Sequence, residues 1–245
     1  MKKSRVEILI VGGGPSGLAL AARLTKDLGI KVRILEREST AGGIPRHSYH
    51  SGYGIRDLHR LMSGPNYARY YVNCIENLKI ELSVNSSAWN WNSDLGLVVT
   101  SPKGLEEISA QKIILATGAR ERSRNSRLVA GTRPEGIYTT GSLQQLVYLN
   151  KLHIGNTAVI IGSEHVSYSA LITLKHAGVK TVAMIEEGEF TNSYKAVELV
   201  TRAFYRYSFY TNSKLIKING QNRVNSILIK QREKLIEIKC DTLIF

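Results

Sequence analysis

Apolar and polar positions in this chain switch between a period of two and a period near 3.6, and the switch occurs twice. Glu7 to Val11 is a short apolar run, suited to a strand of a parallel sheet buried on both faces. A glycine turn follows over Gly12 to Gly17. Leu18, Ala19, Ala21, Ala22, Leu24 and Leu28 then recur at helical spacing, and Gly29 stops that helix. Lys31 to Leu35 predicts a second strand. The same order returns later: a strand over Ala158 to Ile161, a turn at Gly162, a helix over Val166 to His176 ended by Gly178, and a strand over Thr181 to Ile185. Two strand–turn–helix–strand units make an internal repeat.

Between them, residues 39 to 54 read as a loop rich in Gly, Ser and His. Arg56 to Asn77 predicts one or two helices interrupted near Gly64-Pro65, and Ile80 to Val84 another strand. Alternation from Trp89 to Ile108, with a turn at Ser101 to Gly104, predicts a β-meander. Lys112 to Ala116 is an apolar strand running into Thr117-Gly118. Arg120 to Arg133 is polar and basic, a candidate linker, with Arg120, Arg122, Arg124, Arg127 and Arg133 as candidate contacts to a partner or an acidic surface. Ala196, Val197, Val200, Phe204 and Tyr207 fit the buried stripe of a helix. Thr242 to Phe245 is a last apolar strand.

Composition narrows the class. The 245 residues are 43% hydrophobic and 22% charged, which excludes a disordered or collagen-like chain. Cys74 and Cys240 are the only cysteines and lie far apart, so a disulfide scaffold and a Cys-rich metal site are excluded. Two isolated thiols fit a reducing compartment. Lys2, Lys3 and the apolar stretch after them imitate a secretory signal, but Gly12 to Pro15 break it, and a cytoplasmic protein with no membrane span is expected. Thirty-three Lys plus Arg against 20 Asp plus Glu give a net charge of +13, which raises nucleic-acid binding. Leu199 to Arg232 holds seven basic residues, no acid and several aromatics. Elsewhere the basic residues are dispersed, and the stripe above accounts for the aromatics as core, so nucleic acid is not the favoured partner.

Gly12-Gly13-Gly14-Pro15-Ser16-Gly17 is a GxGxxG turn between a strand and a helix. Gly12 permits the tight turn, Gly14 lets the backbone approach a pyrophosphate, and Gly17 lets helix and strand pack closely. Pro15 sits where a missing N–H has no intrahelical use. Glu36 ends the second strand, where a carboxylate accepts hydrogen bonds from an adenosine ribose. The second turn is altered. It reads Gly162-Ser163-Glu164-His165-Val166-Ser167, so Glu164 and Ser167 replace the second and third glycines, while Glu186 or Glu187 ends the next strand. A dinucleotide there must contend with the bulk and charge of Glu164. NAD(P), another adenine nucleotide, or no ligand at all stay open for this turn. His47 and His50 are too few for a zinc site, and no metal is expected.

Gly42-Gly43, six residues beyond Glu36, and Ala116-Thr117-Gly118 give the chain its resemblance. It resembles the two-dinucleotide-domain flavoproteins of the pyridine nucleotide-disulfide oxidoreductase superfamily. The resemblance implies an α/β chain of two Rossmann-like, FAD- and NAD(P)-binding domains of three-layer ββα type. It implies FAD, with Gly12, Gly14, Ser16 and Gly17 at the pyrophosphate, Glu36 and Arg37 at the adenosine, and the backbone of Ala88 at adenine. Gly42, Gly43 and Arg46 would lie on the flavin side, with Ala116, Thr117 and Gly118 beside the cofactor. The superfamily's redox cysteines are missing: Ile44 to His50 and Gly136 to Gly141 contain none. Disulfide reduction needs a vicinal dithiol, so a disulfide reductase is not expected.

Gly42 to His47, Leu61 to Arg69 and Thr139 to Tyr148 are similar to dithiol-lacking subunits of opine oxidases, hydrogen cyanide synthase and dye-linked amino-acid dehydrogenases. The implied function is an FAD-dependent oxidoreductase subunit relaying electrons beside a second flavoprotein or dehydrogenase subunit, in a hetero-oligomer. The alternatives are a nucleotide-binding scaffold subunit without chemistry and, less favoured, a basic nucleic-acid-binding protein. The expected organisation is an FAD domain over 1–124, a connector over 125–154 and a second Rossmann domain over 155–245. Cys240 to Phe245 resembles the strand that returns such chains to their FAD domain. The first domain is therefore expected to lack its C-terminal return segment, with another chain supplying it or the sequence being a fragment.

Overall fold

Ile8 and Ile10 face one way and Leu9 the other, as the period of a strand requires, and each side is buried in a separate core. They lie on β1 (Lys2–Val11), the centre of the first of two compact units, Met1–Ala119 and Arg120–Phe245. The computed structural model describes residues 1–93 and 95–245; Asp94, inside the expected meander, lies outside the described residues.

In the first unit α1 (Pro15–Leu28) leads to β2 (Val32–Leu35), which pairs in parallel with β1. A 3-10 turn (Ile44–His47) and a small ribbon of β3 (Ser51–Tyr53) and β4 (Met62–Ser63) precede α2 (Gly64–Asn77). No helix forms from Arg56, contrary to expectation. Pro65 lacks the N–H that a helix continuing into it would need and instead occupies the first turn of α2. Residues 54–60 turn back, and Asp57 accepts hydrogen bonds from Tyr67 (2.7 Å) and Tyr71 (2.6 Å) on α2.

β5 (Glu81–Ser83) adds to β2 in parallel, and β6 (Ser87–Ser93), β7 (Gly96–Ser101) and β8 (Gly104–Leu115) form an antiparallel meander. The sheet order is β5-β2-β1-β8-β7-β6. β8 is one strand where the local pattern predicts two: it ends the meander and also runs parallel to β1 along its length, from Glu106 opposite Lys2 to Leu115 opposite Val11. Helices cover one face through Leu18, Ala21, Tyr71 and Ile75. Leu97, Val99 and Ile108 fill the core on the other.

The edge of this sheet remote from the turn is held by charge. Arg33 on β2 makes two 2.9 Å bonds to Glu106 on β8, bridging over β1, while its Nε reaches Glu81 at 2.9 Å. Ser4 on β1 donates to Glu106 at 2.6 Å. The Arg33 guanidinium holds the Glu106 carboxyl far below the usual carboxylate range, at about 2.

The second unit repeats the pattern. β11 (Thr157–Ile161), α4 (His165–His176) and β12 (Lys180–Ile185) form its strand–helix–strand. α5 (Lys195–Tyr205), β13 (Ser208–Tyr210) and a meander of β14 (Ser213–Gly220), β15 (Val224–Gln231) and β16 (Lys234–Lys239) follow, then β17 (Thr242–Ile244). β9 (Ala130–Gly131) joins β14, and β10 (Ile137–Tyr138) joins β17. The parallel sheet runs β10-β17-β11-β12-β13 and the second sheet β16-β15-β14-β9. The chain therefore carries two Rossmann-like α/β units. Residues 125–154 fold within the second unit, where α3 (Thr140–Gln144), closed by a reciprocal Thr139–Ser142 capping box, packs its Leu143 into the core.

Two expectations fail here. The run from Arg120 to Arg133 is not a free basic tether: Arg124 is buried and donates to the carbonyls of Val129, Ala130 and Gly131 (3.2 Å each) and of Thr132. Its charge organises a turn, while Arg120, Arg122, Arg127 and Arg133 of the same run are exposed. The stripe on α5 is also turned around. Val197 and Tyr207 pack against the core, but Val200 is 67% and Phe204 69% exposed, and Ala196 is exposed too. The inward face is instead held by polar groups: Glu198 is buried and pairs with Arg202, and the Thr201 hydroxyl lies 3.0 Å from the Tyr207 hydroxyl. Among the described residues no helix is long and apolar enough to cross a membrane.

Candidate functional site

The Gly12–Gly17 turn lies at the carboxyl ends of β1, β2 and β8. Gly12 N–H donates to Leu35 O and Ala116 N–H to Val11 O, both at 2.8 Å. Ligands of open α/β sheets bind at this edge. Gly12 has φ +115°, and a Cβ there would lie 2.3 Å from Ala116 O. A Cβ on Gly17 would lie 2.1 Å from Gly12 O, so only glycine lets α1 approach the turn this closely. At Gly14 the situation reverses, since a Cβ would meet nothing within 4 Å. Gly14 is the N-cap of α1, no side chain caps it, and the first turn carries no acid. The start of α1 thus presents free N–H groups and a positive dipole end to open space.

Glu36 borders this space. It is buried, and its Oε2 accepts from Gly13 N–H at 3.0 Å while its Oε1 accepts from Glu38 N–H at 2.9 Å. Gly42 N–H donates to Gly13 O at 2.8 Å, and a Cβ on Gly43 would lie 3.0 Å from Gly14 Cα. Gly42-Gly43 therefore stacks on the turn. Ala116 abuts Gly12, and Thr117 and Gly118 continue exposed, with open space around Gly118. The structure thus brings together Gly12, Gly14, Pro15, Gly17, Glu36, Gly42, Gly43 and Ala116.

Of the other expected residues, Ser16 within the turn and Arg37 next to Glu36 are exposed. Arg46 does not point freely: its guanidinium bonds the Glu38 carboxylate and Thr40. Ala88 lies on β6 opposite Val99. The backbone bonded to the Glu36 strand end is instead that of Asn85 and Ser86, which donate to Glu38 O (2.9 Å) and Glu36 O (2.8 Å). The position of Asn85 just after β5, with φ +49°, is the available signal for this turn.

In the second turn Gly162 N–H donates to Ile185 O at 2.8 Å, and Glu186 is buried while Glu187 is exposed. Glu186 Oε2 accepts from the Ser163 hydroxyl (2.5 Å) and Asn192 Nδ2 (3.1 Å), and its Oε1 from Gly188 N–H (2.9 Å). Asn192 N–H donates to Ser163 Oγ at 2.9 Å. Asn192 escapes sequence reasoning, because nothing in its local sequence marks a partner 29 residues away. Glu164 folds its carboxylate back over the turn: its Oε2 accepts from Ser167 Oγ at 3.1 Å and lies 2.4 Å from where a Cβ on Gly162 would stand.

Comparison with known proteins agrees with these units. One of the polypeptides of opine oxidase from Rhizobium meliloti (strain 1021) is 24% identical over 182 residues, covering 74% of this chain and 38% of that protein. The alpha polypeptide of sarcosine oxidase from the same organism is 26% identical over 196 residues, covering 74% of this chain and 19% of that protein. The chain thus spans well under half the length of these relatives. Thioredoxin reductase of T. acidophilum superposes with a TM-score of 0.76 at 19% identity, over 98% of this chain and 76% of that one. That likeness concerns the fold. The sequence profile of one family matches residues 6–245, both turns included, and on that match the chain belongs to the pyridine nucleotide-disulphide oxidoreductase family.

Proposed function

We propose that this chain is an FAD-dependent oxidoreductase subunit whose first unit holds the cofactor, and that it works without a redox-active disulfide beside a second dehydrogenase subunit. The observation that carries the reading is the open cradle at Gly14, bounded by the uncapped start of α1 and by Glu36. A pyrophosphate fits there because backbone N–H groups and the helix dipole face it and no side chain competes. Glu36 is pre-set by Gly13 and Glu38 to accept ribose hydroxyls. Gly42, Gly43 and Gly118 leave backbone, not side chain, along the continuing surface. Bound FAD would supply the electron chemistry; the residues of the chain bind and orient it.

The absence of a disulfide role rests on the thiols. Cys74 lies on α2 of the first unit and Cys240 before β17 of the second, and burial pushes the Cys240 thiol up to about 12. A thiol so held is protonated and unreactive. The hetero-oligomeric reading is supported by relatives that are themselves named as oxidase subunits.

The test is the visible spectrum of the purified protein before and after FAD is added. A flavin band near ~450 nm that bleaches under a chemical reductant is expected. No band and no gain on adding FAD would remove the proposal. A bound flavin that no partner subunit can reduce would leave a nucleotide-holding scaffold in its place.

A further inference from the structure

We infer that Glu164 is a resident anion that closes the second nucleotide turn, so that the second unit does not seat NAD(P)H by its pyrophosphate. The family's second cofactor is a pyridine nucleotide, and the residues present here do not fit it. Much of the scaffold for binding is present, although Ser167 also replaces the third glycine. Gly162 has φ +99°, α4 starts directly after the turn, and Glu186 stands 24 residues beyond Gly162, as Glu36 stands beyond Gly12. What also differs is the occupant of the space at the helix start.

Three observations place Glu164 there. It is the N-cap of α4, in the position that Gly14 holds in the first unit. Its carboxylate does not project away but folds back over the turn, accepting from the Ser167 hydroxyl. The same carboxylate fills the space above Gly162, where a Cβ would come within 2.4 Å of Oε2 and 3.2 Å of Cδ. The equivalent Gly12 meets backbone instead, the Ala116 carbonyl at 2.3 Å, and Gly14, the counterpart of Glu164, has nothing within 4 Å. The exposed carboxylate thus puts a negative charge beside the positive end of α4, held by the Ser167 hydroxyl and not by the backbone N–H groups of the helix start. An incoming pyrophosphate would meet both the bulk and the like charge.

The neighbouring groups reinforce the closure. Ser167 stands where the first unit has Gly17, and its hydroxyl holds the carboxylate in place. Glu186 has both oxygens engaged by Ser163, Asn192 and Gly188, and the Ser163 hydroxyl, fully buried, has no counterpart at Gly13. Glu36 likewise has both oxygens bonded, by the N–H groups of Gly13 and Glu38, so what sets Glu186 apart is its two side-chain partners, Ser163 and Asn192. Glycine at the third turn position would reopen the space without touching those bonds.

The test is a calorimetric titration of the full chain with NADH, comparing wild type with Glu164→Gly and, should glycine fray the start of α4, Glu164→Ala. Each variant is first matched to wild type by thermal melting. Wild type is expected to show no binding up to about 1 mM NADH, and at least one melting-matched variant to bind at least tenfold more tightly than that limit. Micromolar binding by wild type overturns the inference, and so does failure of both variants to gain affinity. The flavin band of the same samples is read separately, so a failure of the FAD proposal would be visible as such and would leave this result intact.

Discussion

The two turns of this molecule are built on one plan and differ in what stands at the helix start. Gly12 to Glu36 and Gly162 to Glu186 have the same spacing, and the flanking strands bond alike: Glu36 O accepts Ser86 N–H as Glu186 O accepts Ser213 N–H. The shared geometry conceals opposite uses of glycine. Gly12 is required because a Cβ would strike the Ala116 carbonyl, whereas at Gly162 it would strike the carboxylate of Glu164. One turn keeps its space open and the other fills it from within. On the inference drawn above, a Rossmann scaffold and its strand-end carboxylate do not by themselves make a nucleotide site, because the side chain at the third turn position also counts.

The ends of the two units' main sheets remote from the turns differ as well. In the first unit the Arg33–Glu106 pair ties β2 to β8 across β1. In the second, Asp241, just before β17, bonds the start of the adjacent β11, accepting from Asn156 N–H (2.9 Å) and Thr157 N–H (3.0 Å), and also from Thr242 Oγ1 (2.9 Å). Burial alone would raise the Asp241 carboxyl, but those amides hold it below its ordinary value.

The comparison can be broken most forcefully at Gly17. Gly17→Ser gives the first turn the residue of the second, with a Cβ 2.1 Å from Gly12 O. Loss of FAD affinity on the order of a hundredfold is expected, measured by titrating flavin into the apoprotein; a variant that binds FAD normally would show that close packing of α1 is not what the turn requires. Comparable in size is Glu106→Ala, which leaves Arg33 without its main partner and should cost about 3 kcal/mol of stability in a urea melt. A cost below about 0.5 kcal/mol would mean the pair behaves like a surface ion pair.

The same pair gives a pH signature. Because the folded pKa of Glu106 is depressed from 4.5 to about 2, its contribution is fully present above pH 4.5 and drains away as pH falls towards 2. Stability of Glu106→Gln should therefore fall less steeply than wild type between those limits; parallel curves would refute the assignment. A smaller effect is expected from Glu36→Gln, about tenfold in FAD affinity, since one carboxylate acceptor is lost while the pyrophosphate cradle remains. The smallest is Asp241→Asn, about 1 kcal/mol, because an amide oxygen can keep some of the backbone bonds. If Asp241→Asn proved as damaging as Glu106→Ala, the two sheet ends would not differ in the way described.

Much of this is legible in one dimension. Strands and helices of both repeats emerge from local periodicity and from Gly29 and Gly178, and the first turn from the order of its glycines. Groups that meet across long separations are not legible. β8 merges two expected strands because its pairing with β1, over a hundred residues away, continues through the break in the local pattern. Arg124 looks like part of a solvated basic run and is buried, since its carbonyl partners are set by the path of 129–132. The apolar stripe of α5 exists as its spacing predicts, but most of it faces outwards.

The sequence by itself determined the two α/β repeats, the glycines that permit their turns, the carboxylates at both strand ends and the presence of Glu164 where a glycine would be expected. Those follow from backbone sterics and short-range periodicity, which act between neighbours in the chain. Only the tertiary structure decided which way the Glu164 carboxylate turns, that Glu186 is held by Ser163 and Asn192, and which face of α5 is buried. A side chain's partner depends on which surfaces the folded chain brings within about 3 Å, and hydrogen bonding acts only at that range.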